Sequence, residues 1–274
     1  LIGLYNTTLM YIKSSDGGKS WGLPIMIAAA GNITQWACWY DRWSNIAAGK
    51  IHCVYTESTT DAPTYRSLDT ESSDTLSSEV IITDLVSTNT GYNISITRAR
   101  GGNLYVHAVI DAGAEGGFFR STDGGGTWGS RTVNEAIATN DAIHLLPGWA
   151  ADNQDIMAVF WDASATELSR QLHDDSANTW SESSIATSIA FSVPASSGNS
   201  NFSVAVDITN SQNVLIAWSD DDAANADLRC WKITESAITE VTNVVLNSTD
   251  DQGHAALAID TTSGNWWAFY HGKS

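Results

Sequence analysis

The chain has 274 residues, of which 43% are hydrophobic and only 16% charged, with a formal net charge of −18. Its aromatic and β-branched content excludes a disordered polymer. With 13 basic residues against 31 acidic ones, it lacks the clustered Lys and Arg that nucleic acids and anionic membrane surfaces require.

Short apolar runs bounded by turn residues recur along the whole sequence, and each reads as a strand. The stretch 9–28 supplies two strands around a polar turn. Runs at 33–40 and 51–55 follow, then a strand around Arg66 and another at 80–85. The same order returns at 94–97, 104–110 and Arg120, and again at 143–146, 156–161, Arg170 and 183–189. It returns once more at 202–208, 214–218, Arg229 and 241–246, and ends with 255–259 and 266–270. No helical periodicity of ten or more residues interrupts the series.

The repeat is clearest in the basic residue of each third strand. Lys13, Arg66, Arg120, Arg170 and Arg229 are spaced by 53, 54, 50 and 59 residues. Four short strands per about 50–55 residues is the period of a β-propeller blade. The expected fold is therefore all-β, a single β-propeller domain over residues 1–274. Five four-stranded blades are expected at 31–87, 91–134, 141–189, 200–247 and 253–274 plus 1–28. The N- and C-terminal strands then share one blade, which hides an open sheet edge. The alternative is a fragment of a six- or seven-bladed ring.

One turn motif is sharper than the rest. Ser14-Ser15-Asp16-Gly17-Gly18-Lys19-Ser20-Trp21 recurs as Ser121-Thr122-Asp123-Gly124-Gly125-Gly126-Thr127-Trp128. A worn copy is His173-Asp174-Asp175-Ser176-Ala177-Asn178-Thr179-Trp180, and a looser one begins Ser67-Leu68-Asp69. Asp accepts hydrogen bonds from amides of its own turn, and Gly supplies positive φ without steric cost. Asp16, Asp69, Asp123 and Asp175 are thus expected to be structural, with Trp21, Trp128 and Trp180 packing across the seams between blades.

The motif resembles the Asp-box, or bacterial neuraminidase repeat, of sialidase-like β-propellers. That family includes sialidases, other glycosidases, polysaccharide lyases and non-catalytic lectins. The resemblance implies a site on the face opposite the Asp-box turns. The ends of the second strands should ring that face: Tyr55-Thr56-Glu57, Ile110-Asp111, Trp161-Asp162, Trp218-Ser219-Asp220 and Tyr270-His271. A sialidase of this family needs three arginines for the substrate carboxylate, a Tyr nucleophile with a Glu partner, and an Asp acid/base. It also carries an Arg-Ile-Pro-type motif, which this sequence lacks.

Four of the eight arginines follow the repeat, and among the other four Arg42, Arg98 and Arg100 are the candidates for a central site. Trp36, Trp39, Trp43 and Trp149 are in excess of the repeat, and Asp41 and Asp162 put carboxylates at strand ends. These nine residues are the expected ligand-binding set, and no catalytic residue is assigned. The expected function is carbohydrate binding by a lectin-like, non-catalytic module. The alternatives are an exo-acting glycoside hydrolase of sialidase type and a structural or interaction module without a small ligand.

No His or Cys spacing suits zinc, so no metal or other cofactor is expected. For calcium, Asp220-Asp221-Asp222 and Asp250-Asp251 are the best positions. A bridge between Cys38 and Cys53 is open, but with three cysteines the expectation is buried free thiols. No apolar run approaches the ~20 residues of a membrane helix. A chain starting at Leu1 without a signal peptide is expected to be processed or part of a larger protein or assembly. It is expected to be secreted, at a cell surface or on a virion, with a glycan or glycoconjugate as partner.

Overall fold

A computed structural model of the chain describes residues 1–28, 33–41, 49–58, 62–82, 94–109, 116–131, 142–149, 153–162, 164–187, 202–207, 214–219, 228–241, 252–260 and 263–272. All regular elements among them are strands, and all pairings are antiparallel.

The first sheet holds β1 (Ile2–Tyr5), β2 (Thr8–Tyr11) and β3 (Ile25–Ala28) in that spatial order. The second holds β4 (Ile33–Tyr40), β5 (Lys50–Glu57), β6 (Thr64–Asp69) and β7 (Thr75–Leu76), with β8 (Val80–Ile81) continuing along β6. The third holds β9 (Ser95–Arg98), β10 (Leu104–Val109), β11 (Gly116–Ser121) and β12 (Gly129–Ser130). The fourth holds β13 (Ala142–Pro147), β14 (Ile156–Asp162), β15 (Glu167–Asp174) and β16 (Thr179–Thr187). The fifth holds β17 (Phe202–Val206), β18 (Val214–Ser219), β19 (Leu228–Ile233) and β20 (Ile238–Glu240). The sixth pairs β21 (Gln252–Ile259) with β22 (Trp266–Gly272).

Period-2 alternation gives the sheets apolar faces, and successive sheets pack face to face in chain order. Leu9, Tyr11 and Ile27 of the first sheet meet Cys53, Tyr55 and Leu68 of the second. Val54 and Tyr65 meet Ile96, Leu104 and Val106 of the third. Tyr105 and Phe118 meet Ile143, Leu145, Ala158 and Phe160 of the fourth. Met157, Val159 and Leu168 meet Val214, Ile216 and Trp231 of the fifth. Leu228 and Cys230 meet Leu257, Trp266 and Ala268 of the sixth.

First strands lie side by side, as β9 against β4 and β13, and β21 against β17. Their free edges would leave backbone donors unpaired. Two of these are met by a serine from the preceding sheet: the Ser95 hydroxyl accepts from the Leu145 amide, and the Ser203 hydroxyl from the Leu257 amide.

Two features depart from the sequence reading. Cys38 and Cys53 are not free thiols but a disulfide. They are directly opposed on β4 and β5 with Cα atoms 4.2 Å apart, the narrow kind of cross-strand pair that brings side chains together. Cys230 stays free and buried. The second departure is β1, a strand the apolar pattern did not assign. It pairs with β2 across a two-residue turn in which Asn6 and Thr7 both have positive φ. It therefore takes the edge of β2 that a shared terminal blade would give to β22. Among the described residues no backbone pairing joins β22 to β2.

Candidate functional site

In a sheet of antiparallel strands, the first-to-second and third-to-fourth turns lie at one end and the second-to-third turns at the other. This parity sorts every candidate residue onto one of two rims.

The Asp-box turns define the first rim. Asp16 accepts from the Ser20 amide at 2.9 Å, the Ser20 hydroxyl at 2.6 Å and the Ser14 hydroxyl at 2.8 Å. These bonds hold its carboxyl low, at about 2. Asp123 repeats the pattern with Thr127 and Ser121, again with a strongly lowered carboxyl pKa. Asp69 accepts from the Glu71 and Ser72 amides. In the worn copy the turn role falls to Asp174, which accepts from the Ser176 hydroxyl and the Ala177 amide. The β15–β16 hairpin is too tight for the full motif, since Asp174 already pairs with Thr179.

Asp175, the position expected to act as the Asp-box residue, instead points into the seam with the third sheet. Its carboxylate accepts from the Tyr105 hydroxyl at 2.5 Å, Arg120 at 2.8 Å and Arg131 at 3.0 Å. Two tryptophans of these turns also face the preceding sheet, whereas Trp21, expected to do the same, is 50% exposed. Trp128 packs edge-on to Tyr65, and Trp180 lies 4.4 Å from Phe118 between ring centroids.

Four of the seven expected ligand residues among the described ones lie on this same rim. Asp41 follows β4, Arg98 ends β9, Arg100 is in the next turn, and Trp149 follows β13. The structure brings them together in pairs. Arg98 forms an ion pair with the buried Asp41 and donates Nε to the Gly102 carbonyl at 2.9 Å. Arg100 donates to the Trp149 carbonyl at 2.7 Å, and Arg170 lies 5.7 Å from the Trp149 ring centroid.

Trp39 packs against the cores of the second–third and fourth–fifth seams, and Trp36 against that of the first–second seam. Beneath them, buried His52 contacts the Tyr65 hydroxyl at 2.7 Å. Burial and the Arg98 charge lower His52 to about 4, so it stays neutral. Arg42 and Trp43 lie outside the described residues, as do Asp111, Asp220, Asp221, Asp222, Asp250 and Asp251. Among the described residues no group of His, Cys, Asp and Glu is arranged to hold a metal ion.

The opposite rim carries Glu57, Asp162 and two arginine–carboxylate pairs. Asp162 accepts from the Ser164 amide and hydroxyl and the Ala165 amide, so it closes its own turn, apart from the other candidates. Arg229, near the start of β19, forms a fork with Glu240 through Nε at 3.0 Å and a second nitrogen at 3.2 Å. Its guanidinium lies 4.9 Å from the Trp231 ring centroid. Arg66 contacts Glu79 at 3.4 Å and donates to the Ile27 and Ser77 carbonyls. Burial and the Glu79 charge raise the carboxyl pKa of Glu57.

The glutamates of both pairs are half-exposed. Glu79 and Glu240 were not among the expected site residues. A Glu 13 or 11 residues after the repeat arginine was the available signal.

No protein-family model matches the chain, and no curated protein does. Solved structures do. The NanB sialidase of Streptococcus pneumoniae superposes with a TM-score of 0.64 at 9% identity, over 96% of this chain and 60% of that one. A leech intramolecular trans-sialidase gives 0.58 at 14%, over 84% of this chain and 36% of that one. The Aleuria aurantia lectin, solved with α-methyl-L-fucoside, gives 0.55 at 8%, over 86% and 71%. The fold is of the sialidase-like propeller type. The propeller described here thus spans about a third of the length of the leech protein.

Proposed function

We propose that this propeller is a non-catalytic, lectin-like module that binds glycans on the rim opposite its Asp-box turns. The observation that carries this is the two arginine–glutamate pairs on that rim, the Arg229–Glu240 fork and the single Arg66–Glu79 contact, whose glutamates are half-exposed. A guanidinium beside a carboxylate offers sugar hydroxyls both donors and acceptors. The likeness to lectins and sialidases of the same fold supports the sugar class.

Hydrolysis is disfavoured by what surrounds the candidate groups. Arg98 and Arg100 are turned onto Asp41, Gly102 and Trp149 rather than held open for a substrate carboxylate. Tyr55 is fully buried, and burial together with Glu79 raises its pKa. A hydroxyl that solvent does not reach cannot meet a substrate carbon.

On this reading the chain forms five four-stranded blades whose terminal strands share one blade. The Cys38–Cys53 disulfide supports an extracellular or surface location, where disulfides persist. A glycan array followed by titration calorimetry tests the binding. Arg66→Ala and Arg229→Ala should each weaken it, and full affinity in the double variant would refute the assignment.

A further inference from the structure

The seams share a device. From each of the first four sheets, a residue on or just past the second or third strand reaches into the third-to-fourth turn of the next sheet. Lys13, just past β2, donates to the Thr70 carbonyl at 2.8 Å and pairs with Asp74. Tyr65 of β6 donates to the Gly124 carbonyl at 3.2 Å. Arg120 of β11 holds Asp175, and Arg170 of β15 donates to the Thr234 carbonyl at 3.1 Å.

The series leaves two complementary ends. Lys232 of β19 is exposed, on the face that alternation shares with Leu228 and Cys230, toward the sixth sheet, which holds two strands among the described residues. The Asp16 turn lies between β2 and β3, and its Trp21 is 50% exposed where Trp128 and Trp180 pack on a preceding sheet.

The strand positions make the same point. β21 packs on β17 and β18 as β9 packs on β4 and β5, so β21 and β22 hold the first and second places of a sheet. β2 and β3, flanking an Asp-box turn, hold the third and fourth. The second place is therefore filled twice, by β22 and by β1. β1 is four residues long against seven for β22, and its hairpin turn places the β-branched Thr7 at φ 63, a strained position for such a residue. On the free face of β22, Trp267 is 48% and Phe269 58% exposed.

We infer that β1 is a displaceable strand: β22 replaces it on β2, closing the last seam and bringing the Asp16 turn under Lys232. The exchange rests on the five-blade reading. It breaks the β1–β2 ladder and forms a longer one, while the apolar face of β22 comes to lie against the second sheet.

The test uses the full chain. Lys19→Cys and Lys232→Cys, both at exposed sites, are joined with a short bis-maleimide. Cys230 is buried and its thiol is pushed up to about 12, so it does not react. In parallel, hydrogen exchange is followed on the unmodified chain. The expected result is a cross-link within monomers, with amides of β22 exchanging about tenfold more slowly than those of β1. A monomeric cross-link with β1 protected like β2 would leave the five-blade ring standing and overturn the exchange. Absence of the cross-link, or one formed only between molecules, would overturn both.

Discussion

Gly124 and Gly125 are neighbours in one Asp-box turn, yet replacing each with alanine should have unequal effects. Both have positive φ, +74° and +99°, so either alanine meets the left-handed penalty of ~1–2 kcal/mol. A Cβ on Gly124 would meet nothing within 4 Å. A Cβ on Gly125 would strike the Tyr65 ring and lie 2.7 Å from its hydroxyl oxygen. Tyr65 is buried and pinned by His52 at 2.7 Å and Gly124 at 3.2 Å, so it cannot swing clear.

Overpacking of this kind adds ~1–3 kcal/mol. Gly125→Ala should therefore cost ~2–5 kcal/mol in all, against ~1–2 for Gly124→Ala. At roughly 2–4 °C per kcal/mol for a domain near this size, thermal unfolding followed by tryptophan fluorescence resolves the difference. Equal melting temperatures would show that the Asp-box turn of the third sheet does not dock on Tyr65, and the seam device would lose its best-packed example.

Three further outcomes are expected. Denatured but unreduced protein should titrate one thiol and reduced protein three, and opening the Cys38–Cys53 bridge should cost about 2–4 kcal/mol; three thiols without reductant would refute the bridge. His52 is held neutral with a pKa near 4 in the fold against about 6.5 unfolded. Its contribution is thus fully present above pH 6.5 and is lost as the pH falls toward 4, by up to about 3 kcal/mol. Urea unfolding at pH 7 and 4.5 should show that loss, and His52→Gln should flatten it. Asp123→Ala removes three hydrogen bonds to one carboxylate and should cost about 1–3 kcal/mol without changing glycan affinity; loss of binding at unchanged stability would reverse the structural role given to these aspartates.

Strand order was legible because its signals are local. Apolar runs and turn residues placed β4, β10, β14 and β18 within a few residues of where they lie, and the Asp16 and Asp123 turns make the bonds their composition suggests. What failed was non-local. Cys38 and Cys53 face each other only through the β4–β5 register, which spacing does not reveal. Asp175 fits the Asp-box spacing, but hairpin length hands the turn to Asp174. Asp41, Arg98, Arg100 and Trp149 were chosen as excess over the repeat, yet strand parity places them on the Asp-box rim and their groups engage one another. Glu79 and Glu240 are carried to Arg66 and Arg229 by fourth strands, across a pairing that no motif marks. β1 escaped notice because four residues with one glycine carry almost no periodic signal.

The most direct test of the central claim is titration of a glycan selected on an array against wild type and the Arg66→Ala/Arg229→Ala double variant, with sugar release monitored in the same samples. Saturable binding by wild type, at least a tenfold loss in the double variant with melting preserved, and no released sugar is the result this account predicts. Undiminished binding by the double variant, or turnover of the glycan by wild type, would contradict it.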